Sequence, residues 1–155
     1  MLKRKIIPVF LASVLAVSGT TGFSVGVFSE NVYASEEANT QRLADFADLL
    51  DADQKEELEV KLDQISENYD CDVVVDIEES IDGMDPTAYA DDFFDYNDYG
   101  MGNDKSGILF MLTMSERKWA ISTHGEAISI FTDAGQEYIT DNIVSYFSDG
   151  DYYEG

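Results

Sequence analysis

Basic residues, cysteine, histidine, tryptophan and proline are all scarce in this chain. Of its 155 residues, nine are Lys or Arg against 32 Asp or Glu, a formal net charge of −23. A surface of that sign repels phosphate backbones and anionic lipid, so a nucleic-acid partner is excluded and cations are attracted. The same acidity also serves simply to keep a domain soluble. A single cysteine, Cys71, and a single histidine, His124, exclude an intrachain disulfide and a structural zinc site of the Cys/His kind. Cys71 stands at the edge of a valine run and reads as a small buried hydrophobe rather than a nucleophile. No Gly-x-Ser-x-Gly elbow accompanies His124, which sets a serine hydrolase aside.

What is present begins at the N-terminus. Lys3-Arg4-Lys5 precedes an apolar run from Ile6 to Val17, and Val32-Tyr33-Ala34 offers a small-residue cleavage pattern. The run is too short for the roughly 20 residues of a membrane span. Residues 1–34 therefore read as a secretory signal peptide cleaved near Ala34, which places the mature protein outside the cytoplasm, secreted or in the cell envelope. Residues 35–41 form a polar leader and 42–155 one domain. Removing 34 of the 155 residues leaves 121, in which six Lys and Arg face 31 Asp and Glu, a net charge of −25.

The densest chemistry lies in Asp95 to Gly107, where Asp95, Asp98 and Asp104 alternate with Gly100, Gly102 and Gly107. Carboxylates on a backbone freed by glycine suit a hard divalent cation, calcium first and magnesium second. The alternative is a solvated turn. The loop is not an EF-hand, because its fifth position is Tyr99 and its twelfth Ser106.

Periodicity organises the rest. Leu43, Phe46, Leu49 and Leu50 predict a short helical segment over 42–50, and Asp51 with Gln54 a capping box opening the next helix. Leu58, Leu62, Ile65 and Tyr69 would form its buried stripe. Cys71 to Ile77 reads as a strand covered on both faces. Asp85-Pro86 starts a second helix presenting Tyr89, Phe93, Phe94 and Tyr96. Ile108 to Met114 and Lys118 to Thr123 read as two further strands joined at Ser115-Glu116. A last helix covers 133–147, with Tyr138, Ile139, Ile143, Val144 and Phe147 inward. This order predicts an α/β sandwich on a small mixed, mostly parallel sheet. The acidic loop then opens one strand at the edge where another ends, so that Asp98 and Asp104 approach His124, Glu126 and Asp133, with Asp72 on the same edge. Asp149 and Asp151 belong at the opposite edge, beside the Glu78 to Asp85 loop.

Residues 42–155 resemble the TPM domain family, named after a thylakoid-lumen phosphatase-like protein, a photosystem II repair factor and a modulator of levamisole receptors. The marks are Asp48-x-Leu50, Tyr89-Ala90-Asp91-Asp92-Phe93-Phe94, Tyr99-Gly100-Met101-Gly102 and Gly107-Ile108-Leu109-Phe110-Met111. Arg117, Ser122-Thr123-x-Gly125-x-Ala127-Ile128, Phe131-Thr132-Asp133 and Gly150-Asp151-Tyr152-Tyr153-x-Gly155 continue them. The resemblance implies a three-layer α/β/α sandwich, exported or facing a lumen, with a membrane tether beyond residue 155. It also implies either an acid phosphatase or a calcium-binding accessory protein of membrane complexes. His124 departs from the family pattern, in which a small residue commonly precedes the glycine.

Two functions follow as expectations. In one, the exported domain binds divalent cations through Asp95, Asp98, Asp104 and Glu126, with His124, Asp133, Asp149 and Asp151 as further candidates, and acts as a binding or accessory module for a protein or cell-envelope partner. Tyr96, Tyr99, Tyr152 and Tyr153 would supply its contact surface. In the other, the same ions assist phosphomonoester hydrolysis, with Lys105 or Arg117 on the phosphate and His124 moving the proton. The ligands are legible and a nucleophile is not, which favours the first.

Overall fold

The valine run Val73-Val74-Val75 supplies what a strand buried on both faces needs, and it lies inside the sheet. The computed structural model describes residues 41–155. The expected signal peptide over 1–34, and all but the last residue of the polar leader over 35–41, lie outside the described residues. Chain order is β1 (Leu43–Asp45), α1 (Ala52–Tyr69), β2 (Asp72–Glu78), α2 (Pro86–Tyr96), β3 (Gly107–Thr113), β4 (Lys118–His124), α3 (Ala127–Ile130) and α4 (Asp133–Asp149). The sheet order is β1-β2-β3-β4, with β1, β2 and β3 parallel and β4 antiparallel to β3.

Side-chain alternation divides the sheet into two faces. Leu58 and Leu62 of α1 pack on Leu43, Val73, Val75 and Ile77. Ala90, Phe93 and Phe94 of α2 cover the other face, over Val74, Leu109, Met111 and Ala120. On the α1 side, Phe147 of α4 meets Phe110 with ring centroids 5.9 Å apart. The result is a mixed four-stranded sheet with helices on both sides, the α/β/α sandwich expected.

The caps are those the sequence specifies. Asp51 and Gln54 close the capping box of α1, and Asp85 caps α2 with Pro86 in its first turn. The segment 42–50 is not helical. Its first half pairs with β2 in the register Leu43 to Val75, and its second half turns around Asp45, whose carboxylate accepts the Leu49 and Leu50 N–H groups at 3.0 and 2.9 Å. Pairing with an open strand edge satisfies more backbone groups than a single helical turn. Glu59 of α1 then closes the start of this edge strand by accepting the Arg42 and Leu43 N–H groups at 2.6 and 2.8 Å. Burial raises the Glu59 pKa even so.

Three apolar stripes are narrower than their spacing suggests. In α1 it is Leu62 and Ser66 that face inward, the Ser66 hydroxyl accepting the Val73 N–H, while Tyr69 is 77% exposed. In α2 Tyr96 is exposed beyond the last core turn, and in α4 Tyr138 and Val144 are exposed while Ile139, Ile143 and Phe147 are half-buried. Cys71 is buried, and burial pushes its thiol pKa up, as suits an inert hydrophobe. Among the described residues, no helix is long and apolar enough to cross a membrane.

Candidate functional site

Parallel pairing of β2 with β3 and antiparallel pairing of β3 with β4 put Asp72, Gly107 and His124 in one row across the sheet. Gly107 leaves the seat for an aromatic ring there, since a Cβ would stand 2.6 Å from Cζ of Phe94. Phe94 occupies that seat and stacks on the His124 imidazole, centroids 3.9 Å apart and planes within 5°. A row of small, acidic and imidazole side chains thus carries one aromatic plate.

The acidic loop folds back to close over this row. Met101 and Ser106 exchange backbone hydrogen bonds at 2.9 and 2.8 Å, and the turn between them uses positive φ at Gly102 and Lys105. Gly100, at φ +104, lies against the Lys105 backbone, where a Cβ would approach within 2.6 Å. Its N–H donates to Oδ2 of buried Asp72 at 2.6 Å, while Arg42 holds Oδ1 through Nε and Nη2, each at 2.8 Å. Arg42 also pairs with Asp63. Gly125, at φ +58, accepts the loop from the other side, and a Cβ there would run into the Asp104 carbonyl oxygen. Gly100 therefore lets the acidic loop fold on itself and Gly125 lets it touch the β4–α3 turn, with Asp72 as its anchor underneath.

Asp95, Asp98, Asp104 and Glu126 of the expected ligands sit on this edge in distinct settings. Asp95 Oδ1 is 3.8 Å from Nδ1 of His124. Asp98 pairs with Lys105 Nζ at 2.9 Å. Asp104 is exposed next to Gly125, and Glu126 is exposed at the head of α3. Asp133 lies in the exposed first turn of α4, behind its cap Thr132. Among the described residues, no three His, Cys, Asp or Glu side chains already converge as a metal-holding group. Asp149 ends α4, and Asp151 belongs to the closing segment that lines a groove of about 400 Å³ with Leu49, Leu50 and Gln54. That groove lies at the opposite sheet edge.

Sequence reasoning missed the support behind His124. Ser122 is only 2% exposed, and its Oγ donates to Asp91 Oδ1 at 2.5 Å and contacts His124 Nε2 at 2.7 Å. Strand alternation places Ser122 and His124 on one face, and helical spacing aligns Asp91 with Phe94 and Asp95, so the signal was there to be combined. The tyrosine surface was overestimated. Tyr99 is buried, its hydroxyl donating to the Gln41 carbonyl at 2.7 Å, and burial drives its pKa up. Tyr152 stacks on Phe147, and Tyr153 lies beneath Lys61 Nζ.

The far edge carries a different carboxylate. Glu116, in the β3–β4 turn, accepts from Ser80 Oγ at 2.7 Å, from the Ile81 and Gly83 N–H groups at 3.2 and 3.3 Å, and from Thr113 Oγ1. These donors, the Thr113 and Ser80 hydroxyls foremost, lower its pKa to about 2. Arg117 follows it. The whole length of β4, about 20 Å at strand rise, separates Arg117 from His124.

A family model described as TPM domain matches residues 43–155. None of the curated proteins compared with the chain matches it. Among solved structures, the N-terminal domain of a protein from P. gingivalis superposes with a TM-score of 0.66 at 21% identity, covering 76% of each chain. The N-terminal domain of a protein from Corynebacterium glutamicum gives 0.57 at 18% identity, covering 84% of this chain and 78% of that one. A protein from Bizionia argentinensis gives 0.55 at 16% identity, covering 67% and 71%. At these identities the likeness is one of fold.

Proposed function

This chain belongs to the TPM domain family, and from that premise we propose that it is an extracytoplasmic accessory domain that binds a divalent cation at the edge between the acidic loop and the β4–α3 turn. One observation carries the reading. The close backbone contact at Gly125 and the stacking of Phe94 on His124 hold three carboxylate-bearing segments, around Asp95, Asp104 and Glu126, against one another on an edge where Lys105 is engaged with Asp98. Mutual repulsion there is relieved by a doubly charged ion.

The donor chemistry fits. Exposed carboxylates are hard oxygen donors, the class calcium and magnesium take. Asp95, Asp104 and Glu126 would hold the ion, and Asp98 would join only by giving up Lys105. Bound there, the ion supplies charge neutralisation and cross-links the loop to the turn. The chain's own residues set the frame: Asp72 fixes the loop through the Gly100 N–H, and Phe94 fixes the imidazole. Export rests on the N-terminal pattern over residues 1–34. Tyr96, exposed at the end of α2 beside this edge, is the side chain on which a protein or envelope partner would bear.

Hydrolysis of phosphomonoesters has less behind it. Arg117 lies at the other end of β4, and the Ser122 hydroxyl is buried beneath α2. Purified protein incubated with a generic phosphomonoester in calcium, magnesium or manganese should show an ion-dependent rise in its unfolding midpoint without turnover. Turnover that disappears in an Asp95→Ala, Asp104→Ala double variant would replace this reading with the hydrolase; absence of any response to ions would remove the cation site.

A further inference from the structure

We propose that the imidazole of His124 makes this edge a mixed nitrogen and oxygen site, ligating a borderline transition-metal ion of the zinc(II) or nickel(II) class through Nδ1 beside the carboxylate of Asp95. The inference rests on the cation reading above and goes further in naming the kind of ion and the ligand that selects it.

Hydrogen-bond polarity fixes the tautomer. The Asp91 carboxylate can only accept, so the Ser122 hydroxyl gives it its single hydrogen across 2.5 Å. The Ser122 oxygen is then the acceptor in the 2.7 Å contact with His124, and Nε2 must carry hydrogen. In the neutral ring Nδ1 is left with its lone pair. That lone pair faces Asp95 Oδ1, itself an acceptor, across 3.8 Å. Two acceptors at that separation leave room for a cation between them. The gap is too long for a hydrogen bond, whereas bonds of about 2.1 Å from a nitrogen and an oxygen to a common ion allow their separation to reach about 4 Å.

The ring is also built to stay in place. Phe94 stacks flat against it, and the Ser122–Asp91 pair behind Nε2 has the form in which ligating histidines are generally held, their second N–H given to a carboxylate-linked acceptor. Imidazole suits zinc, nickel, iron or copper, while calcium, magnesium and manganese prefer oxygen. Asp104 and Glu126 stand nearby as exposed carboxylates, and water completes the shell. The side chain at position 124 therefore decides whether the edge discriminates among divalent ions.

His124 is the sole histidine of the chain, so its ring resonances are free of overlap. Full-length protein labelled with nitrogen-15 is titrated with zinc(II) alone, and separately with calcium(II) alone, while the two imidazole nitrogens are followed. The expected result is a zinc-dependent shift of Nδ1 larger than that of Nε2, at least tenfold weaker zinc binding in His124→Asn, and unchanged calcium binding in that variant. Ser122→Ala, which frees the ring without removing the ligand, should weaken zinc binding roughly tenfold. Zinc binding that leaves the imidazole signals unmoved, or equal zinc affinity in His124→Asn, overturns the proposal. If calcium still binds in that case, the cation reading survives without the imidazole; if neither ion binds, both fall.

Discussion

Glu116 shows how much one half-buried carboxylate can organise. Its four donors come from the end of β3 and from the loop after β2, so the charge stitches two loops that the chain separates by more than thirty residues. Because its folded-state pKa of about 2 lies below the ordinary glutamate value of 4.5, unfolding takes up a proton in acid. The stabilisation is complete above about pH 4.5 and is lost as the pH falls toward 2. Glu116→Gln should therefore lower the thermal midpoint at pH 7, and the difference from the parent should shrink at pH 3. An equal deficit at both values would mean that the charge is not what matters. Such a role could not be read from Ser115-Glu116, which the sequence marks only as a tight turn. Legibility at this scale depends on partners. Asp51 and Asp85 were legible because their partners lie three residues on, whereas Ser122, Asp91 and Asp72 act on residues that are remote until the sheet assembles.

Among the elements, those whose signal is local came out as the sequence indicates. Helices α1 and α2, strands β2 to β4 and the reversal at Ser115 depend on caps, branched runs and a turn. Segment 42–50 did not, because its helical spacing of leucines competes with a strand edge that exists only once β2 has formed. The α1 stripe failed for a related reason: Ser66 faces β2 to accept the Val73 N–H, this rotation carries Ile65 outward, and Tyr69 ends the helix. The glycines of the acidic loop were legible as flexible points, but the contact they permit was not. Gly125 and Gly150 separate the two effects. Both have positive φ, yet only at Gly125 does a Cβ meet another backbone segment. Gly150→Ala should cost about 1 kcal/mol for the left-handed conformation alone, and Gly125→Ala about 3 kcal/mol, since the loop carrying Asp104 must also shift. Urea unfolding of both variants measures the difference; equal losses would show that loop and turn are not tightly apposed.

For the molecule as a whole, the balance of nine basic against 32 acidic residues bounds the function more firmly than any motif. Self-repulsion at that net charge destabilises the compact state, and a bound cation offsets it where carboxylates are most crowded. The scale of the charge says nothing of where that is, because acidic side chains cover several faces, including the 79–85 loop and the closing segment. Topology decides it: β3 begins where β4 ends, so the acidic loop and the His124-Gly125-Glu126 turn share an edge, as the strand order implied from sequence. The central claim is that a divalent ion binds at this edge. Backbone amide spectra of nitrogen-15-labelled protein during a calcium titration test it most directly. Saturable shifts should concentrate in residues 95–107 and 122–127 and be abolished in an Asp95→Ala, Asp104→Ala, Glu126→Ala variant; shifts centred on residues 79–85 or 149–154, or none at millimolar calcium, would contradict it.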